Sequence, residues 1–347
     1  MIDYTKFEKM SSYERVINVL KSKETDRTPV INPVSIATVE LMDKCNAYFP
    51  SVHTDSEKMA KLAAAGYEIL GFDSIAPYFS VLQEAAALGC HIDWGQKDSM
   101  PQSLNTPCKV PDDIDIPKNF LDHIAIRTVI EAVRMLKSRY QNKAVIIGKV
   151  MGPWTLAYHL FGVENFLMDT ILDPDKVREI LNRLKEVTIM FAEAQFEAGA
   201  DLITLADHAT GDLISAKDYA KFLKPVHQEI TSRVHGPLIL HICGRTIDRM
   251  VDIAEAGFAV FHFESKNSPR EAKRVVGNRI LLTGNINNTE VLLYSRPEDV
   301  KQQVFEAIEA GIDMISPECA VPLTTPISNL QAIVEGVREY HFGKLMK

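Results

Sequence analysis

Residues 237–265 read PLILHICGRTIDRMVDIAEAGFAVFHFES, and this stretch decides the fold. It begins and ends with short apolar runs, 237–243 and 259–265, that lack helical periodicity, and an amphipathic segment separates them. Runs that are apolar on both faces are typical of parallel strands buried beneath helices. The stretch therefore predicts a strand–helix–strand unit of an α/β sheet.

The same unit recurs along the chain. Six more runs of this kind are predicted as strands, at residues 29–35, 74–78, 144–151, 201–207, 279–286 and 313–319. Eight strands alternating with helices predict a single (β/α)8 TIM barrel over residues 1–347, with an N-terminal helical extension. The polar, turn-rich residues 94–117 are predicted to be an insertion after the second strand.

An open doubly wound sheet is the alternative fold. The sequence has no GxGxxG or GxxxxGK[ST] after a predicted strand, which weakens the nucleotide-binding form of that fold. Helix starts are predicted near Ser11, at a capping-box pattern of Thr54 and Glu57, and at Pro174.

Composition narrows the class of protein. Lys plus Arg number 38 and Asp plus Glu 46, and the resulting charge of −8 argues against a nucleic-acid partner. The five cysteines are odd in number and scattered, which favours a reducing cytoplasm over a disulfide framework. The first residues carry no secretory pattern, and no apolar run approaches the ~20 residues that span a bilayer. We expect a soluble, cytoplasmic globular protein without a membrane partner.

The active site of such a barrel lies at the carboxyl ends of its strands. His241 and Cys243 are two apart on one predicted strand, so their side chains share a face, and Cys319 ends the last strand across the barrel mouth. One histidine and two cysteines are a recurrent ligand set for a catalytic zinc ion with one open position. The alternative to metal binding is a purely structural role, in which the cysteines are buried small apolar residues and the histidine is hydrogen-bonded. Spacing leaves both interpretations open.

The proposed ligand set favours one type of chemistry. Two thiolates and a neutral imidazole leave a zinc site formally neutral, and a third, substrate thiolate would make it anionic and keep the sulfur nucleophilic. Histidine-rich sites with bound water instead serve hydrolysis. Sulfur-rich ligation therefore favours thiol alkylation.

Several stretches carry a family resemblance: IGKVMGPWTLAYHLFG (147–162), EAGADLITLADHATGDL (197–213), PLILHICGRTIDRM (237–250), FHFESKN (261–267), GNINNTE (284–290) and SPECAVPLTTPISNL (316–330). The chain resembles the uroporphyrinogen decarboxylase superfamily. Within it, the chain resembles the methylcobamide:coenzyme M methyltransferases, especially the methanol-specific branch. The resemblance implies a TIM barrel with Zn²⁺ on His241, Cys243 and Cys319. It also implies methyl transfer from a methylated corrinoid protein to the thiol of coenzyme M, giving methyl-coenzyme M and a Co(I) corrinoid.

Three alternatives remain. A uroporphyrinogen decarboxylase needs an aspartate near the position of Val81 and several basic residues for its substrate's carboxylates, and neither is evident. The methyl acceptor could be another thiol or a pterin, or the barrel could be a binding protein without chemistry. Since no DxHxxG corrinoid signature is present, the corrinoid is expected on a separate partner protein.

Other strand-end residues are given provisional roles. Glu264 is expected either as a fourth zinc ligand or as a hydrogen-bond partner of the zinc-bound histidine. Arg245 is a cationic candidate for the sulfonate of coenzyme M, and the missing side chain of Gly152 would let a flat corrin ring approach. The full set of candidates for binding corrinoid or coenzyme M is Tyr78, Met151, Gly152, Asp207, Arg245, Asn285 and Asn287.

Overall fold

A ring of parallel strands forms the centre of the computed structural model, which describes residues 4–343; residues 1–3 and 344–347 of the predicted domain lie outside this range. Seven strands form one parallel sheet in the order β1-β4-β5-β6-β7-β8-β9, and β2 and β3 form a separate antiparallel hairpin. The strands are β1 Ser74–Ile75, β2 Ile92–Asp93, β3 Gln102–Ser103, β4 Val145–Met151, β5 Leu202–Ala206, β6 Leu238–Ile242, β7 Val260–Phe263, β8 Leu281–Ile286 and β9 Met314–Pro317.

An extended segment closes the ring where an eighth strand was predicted. Val30 bridges Ile315 in β9, and its carbonyl accepts a hydrogen bond of 2.6 Å from the Asp73 amide just before β1. The predicted strand at residues 29–35 is therefore too long, since only this bridge forms. Pro33 lacks an N–H and cannot extend the ladder. The barrel prediction itself is confirmed, with seven strands and one bridging segment.

Helices surround the ring. They are α1 Ser12–Leu20, α2 Val39–Cys45, α3 Ser56–Glu68, α4 Gln83–Ala87, α5 Ile124–Tyr140, α6 Pro153–Phe161, α7 Val163–Leu172, α8 Pro174–Glu197, α9 Ala216–Asp218, α10 Lys224–Arg233, α11 Met250–Ala254, α12 Pro269–Val276, α13 Pro297–Glu309 and α14 Ile327–Phe342. Between residues 4 and 343, no helix is both long enough and apolar enough to cross a bilayer.

Two of the three predicted helix starts are confirmed, and one is wrong. Ser11 forms a reciprocal capping box with Glu14 at the start of α1, and Pro174 opens α8. The capping box predicted at Thr54 is wrong, because Asp55 caps α3 by accepting from the Lys58 amide. The carboxylate of Asp55 satisfies one of the unpaired amides of the first turn, and Thr54 is left outside the helix.

A buried ionic cluster holds the amino-terminal end of the barrel together. Asp73 is fully buried and accepts hydrogen bonds from Arg15 at 2.7 Å, Arg27 at 2.8 Å and the Val30 amide at 2.8 Å. One carboxylate thus joins α1, the closing segment and β1. Burial acts to raise the pKa of Asp73, but Arg27 and Arg15 outweigh it and lower that pKa.

Two further aspartates repeat this device. Asp201 precedes β5 and accepts from the Ile146 amide of β4, and Asp313 precedes β9 and accepts from the Leu282 amide of β8, each at 2.9 Å. Both carboxylates also pair with a lysine. The residue before a strand therefore repeatedly secures the strand beside it.

The substitution Asp73→Asn is expected to lower the free energy of unfolding by about 3 kcal/mol, because it removes the one carboxylate that both buried guanidinium groups share. Among the described residues, Arg15 then keeps only Asp26 and Glu8 as acidic partners, and Arg27 keeps only Glu8. This contribution is present above the ordinary carboxyl pKa of 3.8 and is lost as the pH falls below it, since the folded-state pKa is lowered. Denaturant titration at pH 7 measures the effect.

Asp112→Asn is the matched control, because Asp112 pairs with Arg183 at the surface and its side chain is 86% exposed. It should leave the unfolding free energy unchanged within error. Equal losses in the two variants would contradict the role given to Asp73.

Candidate metal centre

Three side chains converge at the carboxyl end of the barrel. His241 lies in β6, Cys243 follows that strand, and Cys319 follows β9. Nε2 of His241 is 3.1 Å from Sγ of Cys243 and 3.5 Å from Sγ of Cys319, and the two sulfurs are 3.2 Å apart. The predicted convergence of these residues is therefore present in the structure.

The donor set fits a zinc ion. With Zn–S near 2.3 Å, two sulfurs on a tetrahedral zinc ion stand about 3.8 Å apart, so a shift of a few tenths of an ångström would admit the metal. All three ligand atoms lie within 4.8 Å of one another. A site made of two thiols and an imidazole binds zinc in preference to magnesium or calcium. Three protein ligands leave a fourth position for a substrate.

The two thiols do not titrate alike. The hydrogen bond between them lowers the pKa of Cys319 and raises the pKa of Cys243, and burial also raises the latter. The nearby His241 imidazole further favours the Cys319 thiolate. This pair of shifts favours the thiolate on Cys319 over the thiolate on Cys243.

Cys243 is placed by a tight turn after β6. Gly244 has φ +74°, and a Cβ there would lie 2.1 Å from Oγ1 of Thr210, so only glycine fits. The Gly244 amide donates to the carboxylate of Glu264, which is 17% exposed. The strand can therefore turn sharply while Cys243 still faces His241.

Cys319 is placed by its neighbour Glu318. The buried Glu318 carboxylate accepts from the Ser265 amide at 2.8 Å and from the Asn288 amide at 2.7 Å. These amides follow β7 and β8, so one side chain joins the ends of three strands. Burial raises the pKa of Glu318. The sequence alone could not predict this role of Glu318, because nothing in the pattern distinguishes it from other glutamates at the ends of strands.

A second histidine supports the first. His262 in β7 lies opposite His241 in the ladder, and their ring centroids are 4.4 Å apart. His262 is completely buried, and its Nε2 is 2.8 Å from the Pro317 carbonyl, to which it donates. Burial lowers the pKa of His262 and keeps it neutral. It therefore forms a fixed, uncharged floor under the His241 ring.

The three ligand residues open into a cavity of about 380 Å³. Met151 and Asp207 line it, as expected, together with Lys149. Its mouth carries three half-exposed apolar side chains: Val81, Met100 and Val163. The cavity is large enough for a small thiol and has an apolar rim.

Glu264 lies beside the three ligand residues. Its carboxylate accepts from the amide of Gly244, the residue after Cys243, and lies 3.9 Å from Lys266. The cluster of three ligand atoms within mutual reach does not include it, and it forms no hydrogen bond with His241. Its expected role as a fourth ligand, which needs the ion itself, stays a prediction.

Gly152 is required by a close approach within the protein. A Cβ at Gly152 would lie 2.2 Å from Cγ of Asp207, so this carboxylate occupies the space that a side chain would need. The approach of a corrin ring at this position stays a prediction. Asp207 accepts from the Thr155 amide at 2.7 Å and faces Nε2 of His227 at 3.0 Å. Asp207 thus anchors the start of α6 from within the cavity wall.

Four other candidates lie outside the cavity wall. Tyr78 is fully buried and donates to a buried glutamate, and Asn285 donates to a backbone carbonyl at 3.1 Å. Asn287 caps the helical turn that follows β8. Arg245 is 74% exposed and pairs with Asp212 at 3.2 Å. Hydrogen bonds within the protein hold Tyr78, Asn285 and Asn287, and an ion pair holds Arg245.

Lys149 is the cavity cation that the sequence prediction did not select. It is 4% exposed, and its Nζ donates to the Val34 carbonyl at 3.1 Å. Burial lowers the pKa of Lys149 to about 8, although Glu84 and Cys319 act to raise it. A lysine within the otherwise apolar run 144–151 was the signal for such a residue.

Comparison with known proteins identifies the family. The uroporphyrinogen decarboxylase (URO-D) family profile matches residues 11–340. The methylcobamide:CoM methyltransferase MtaA of Methanosarcina barkeri is 34% identical over 332 residues, covering 94% of this chain and 97% of that protein. The methylated-thiol–coenzyme M methyltransferase of Methanosarcina mazei is 32% identical, covering 95% and 90% of the two chains.

Comparison with solved structures supports the same family. A methyltransferase from Methanosarcina mazei matches with a TM-score of 0.92 and 32% identity, covering 96% of this chain and all of that chain. The chain belongs to the uroporphyrinogen decarboxylase family. Within that family it is a methyltransferase.

The substitution Gly152→Ala is expected to lower the free energy of unfolding by about 1–3 kcal/mol, because the new methyl group collides with the fixed carboxylate of Asp207. Gly66→Ala is the matched control, since a Cβ there meets its nearest neighbour at an ordinary 3.7 Å within α3. Denaturant titration compares the two. A control loss as large as that of Gly152→Ala would contradict the close-packing explanation.

Proposed function

We propose that this protein transfers a methyl group from a methylated corrinoid, carried by a partner protein, to the thiol of coenzyme M in a zinc-dependent reaction. The observation that carries the proposal is the convergence of His241, Cys243 and Cys319 on one open cavity. Two relatives are named as coenzyme M methyltransferases, and one of them acts on methylcobamide, which supports this choice of donor and acceptor.

His241, Cys243 and Cys319 would hold the zinc ion. When bound, zinc supplies a Lewis acid that lowers the pKa of an acceptor thiol, so that its nucleophilic thiolate exists at neutral pH. The chain contributes by fixing the donors: His262 supports the imidazole, and Glu318 ties Cys319 to two other strands. Such fixed supports keep the site in its productive arrangement.

The proposed methyl transfer forms one bond and breaks another. A carbon–sulfur bond forms between the methyl group and coenzyme M, and the cobalt–carbon bond breaks, leaving its electron pair on cobalt as Co(I). The thiol proton goes to solvent. The cavity wall contributes apolar side chains, including Met151 and Phe79, that limit water around the reacting sulfur.

The corrinoid is proposed to approach from outside the barrel. The three apolar side chains at the mouth, Val81, Met100 and Val163, are each 44–45% exposed and form a rim suited to a flat macrocycle held by another protein. Resemblance to the methanol-specific branch makes methanol the proposed upstream methyl source. Assays with corrinoid proteins methylated from methanol or from methylamines test this choice.

Replacing either cysteine is expected to remove both metal and activity. Cys243→Ala and Cys319→Ala should each reduce zinc to about a tenth of wild type or less, because two donors bind the ion far more weakly than three. Metal analysis of purified protein measures this. Methyl transfer from methylcobalamin to coenzyme M, followed by the corrinoid spectrum, should fall in parallel.

Cys45→Ala is the control, because Cys45 lies in α2 and is not part of the cavity wall. It should keep wild-type zinc content and rate. Zinc bound at full stoichiometry in both cysteine variants of the site would refute the ligand assignment. Full zinc in the wild type without methyl transfer to any thiol would refute the proposed reaction while leaving the metal site intact.

A further inference from the structure

We propose that Lys149 is the subsite that binds the anionic end of the acceptor thiol, so that the site selects a thiol carrying a permanent negative charge. This inference deepens the proposed function and rests on it for the identity of the thiol. Its basis is the geometry around one buried ammonium group in the wall that also contains the three sulfur and nitrogen donors.

The ammonium group of Lys149 is incompletely satisfied. A lysine has three N–H donors, and the hydrogen bond seen for its Nζ goes to the Val34 carbonyl at 3.1 Å. The Tyr78 ring faces it with its centroid 4.5 Å away, which favours the cation without accepting a conventional hydrogen bond. Donor capacity therefore remains for a ligand.

The nearby carboxylate is already occupied. Glu84 is fully buried, and its two oxygens accept from the Met151 amide at 2.8 Å and from the hydroxyl of Tyr78. Within the described residues 4–343, Lys149 forms no ion pair with it or with any other acidic side chain. Glu84 acts on the Lys149 ammonium electrostatically without contacting it. An anionic ligand in direct contact would further offset the cost of burying this cation.

The position of Lys149 is fixed from behind. Gln195 accepts from the Lys149 amide at 3.0 Å and donates to the Lys149 carbonyl at 2.8 Å, and it is itself fully buried. The backbone of β4 therefore cannot shift easily at this point. Such a prearranged cation needs little reorganisation when a charged ligand arrives.

The other charged candidates are excluded by their surroundings. Arg245 is exposed, is paired with Asp212 and does not line the cavity. Asp207 lines the cavity, but it is an anion engaged by Thr155 and His227. Lys149 and the three ligand residues line the same cavity. In the proposed arrangement the sulfur of the thiol lies at the zinc ligands and its sulfonate lies on Lys149, whereas a neutral thiol leaves that ammonium unpaired.

A comparison of two thiols tests the proposal. Coenzyme M carries a sulfonate, and 2-mercaptoethanol has a neutral hydroxyl at the same position. In zinc-loaded enzyme with methylcobalamin as methyl donor, Lys149→Met is expected to raise KM for coenzyme M about tenfold or more. The KM for 2-mercaptoethanol should change less than twofold, so the preference for the charged thiol collapses.

Two further variants make the test decisive. Lys149→Gln removes the charge but keeps a donor for the Val34 carbonyl, so it should lose the preference even if Lys149→Met folds poorly. Arg245→Met removes a cation outside the cavity and should change neither KM. Zinc content should match wild type in all three variants.

A binding measurement separates this proposal from the reaction. Calorimetry with zinc-loaded wild type should show tighter binding of coenzyme M than of 2-mercaptoethanol, and Lys149→Gln should abolish the difference even if no methyl transfer is observed. Equal weakening of both thiols, or an unchanged preference in both Lys149 variants, would overturn the subsite. Loss of the preference in Arg245→Met would reassign it to that arginine.

Discussion

Barrel closure is the constraint on which the site depends. Cys243 and Cys319 are 76 positions apart, yet their sulfurs lie 3.2 Å from each other because β6 and β9 belong to one curved parallel sheet. That curvature is completed at Val30, where the extended segment joins β9 to the start of β1. A candidate metal site assembled in this way exists only in the folded barrel, so binding of the proposed ion and folding would support each other.

Charged side chains are paired differently at the two ends of the barrel. At the amino-terminal end, the buried Asp73 and the partly buried Asp201 are paired and fix neighbouring strands. At the carboxyl end, Glu318 is paired with backbone amides, but Lys149 and the two thiols face a cavity with unused donor or acceptor capacity. Incomplete pairing thus coincides with the cavity, as expected where a ligand completes the site.

Much of the architecture could be predicted from the alternation of apolar runs and amphipathic segments, and the His241–Cys243 spacing predicted a shared face. The predicted strand at residues 29–35 failed because Pro33 cannot donate to a ladder, a local effect that the apolar pattern hides. Glu264 was expected near the metal because it ends a strand, and its carboxylate does lie beside Cys243, but the sequence did not indicate that the Gly244 amide, twenty residues earlier, would bind it. Such long-range partners have no signature in a single sequence.

Lys149, a charged residue in the cavity wall, is a second site residue that the sequence prediction did not identify. Arg245 looked suitable for an anion because it follows the ligand pair, whereas Lys149 lies almost a hundred residues earlier in an apolar run. Chain proximity favoured the arginine, and the parallel sheet places the lysine in the cavity instead.

Zinc K-edge absorption of the purified enzyme, recorded with and without coenzyme M, reports directly on the ligands of the ion. We expect two sulfur scatterers and a nitrogen scatterer from the protein in the free enzyme, and one additional sulfur scatterer after the thiol is added. An unchanged sulfur count on addition of coenzyme M, or a zinc environment without protein sulfur, would contradict the proposed metal site.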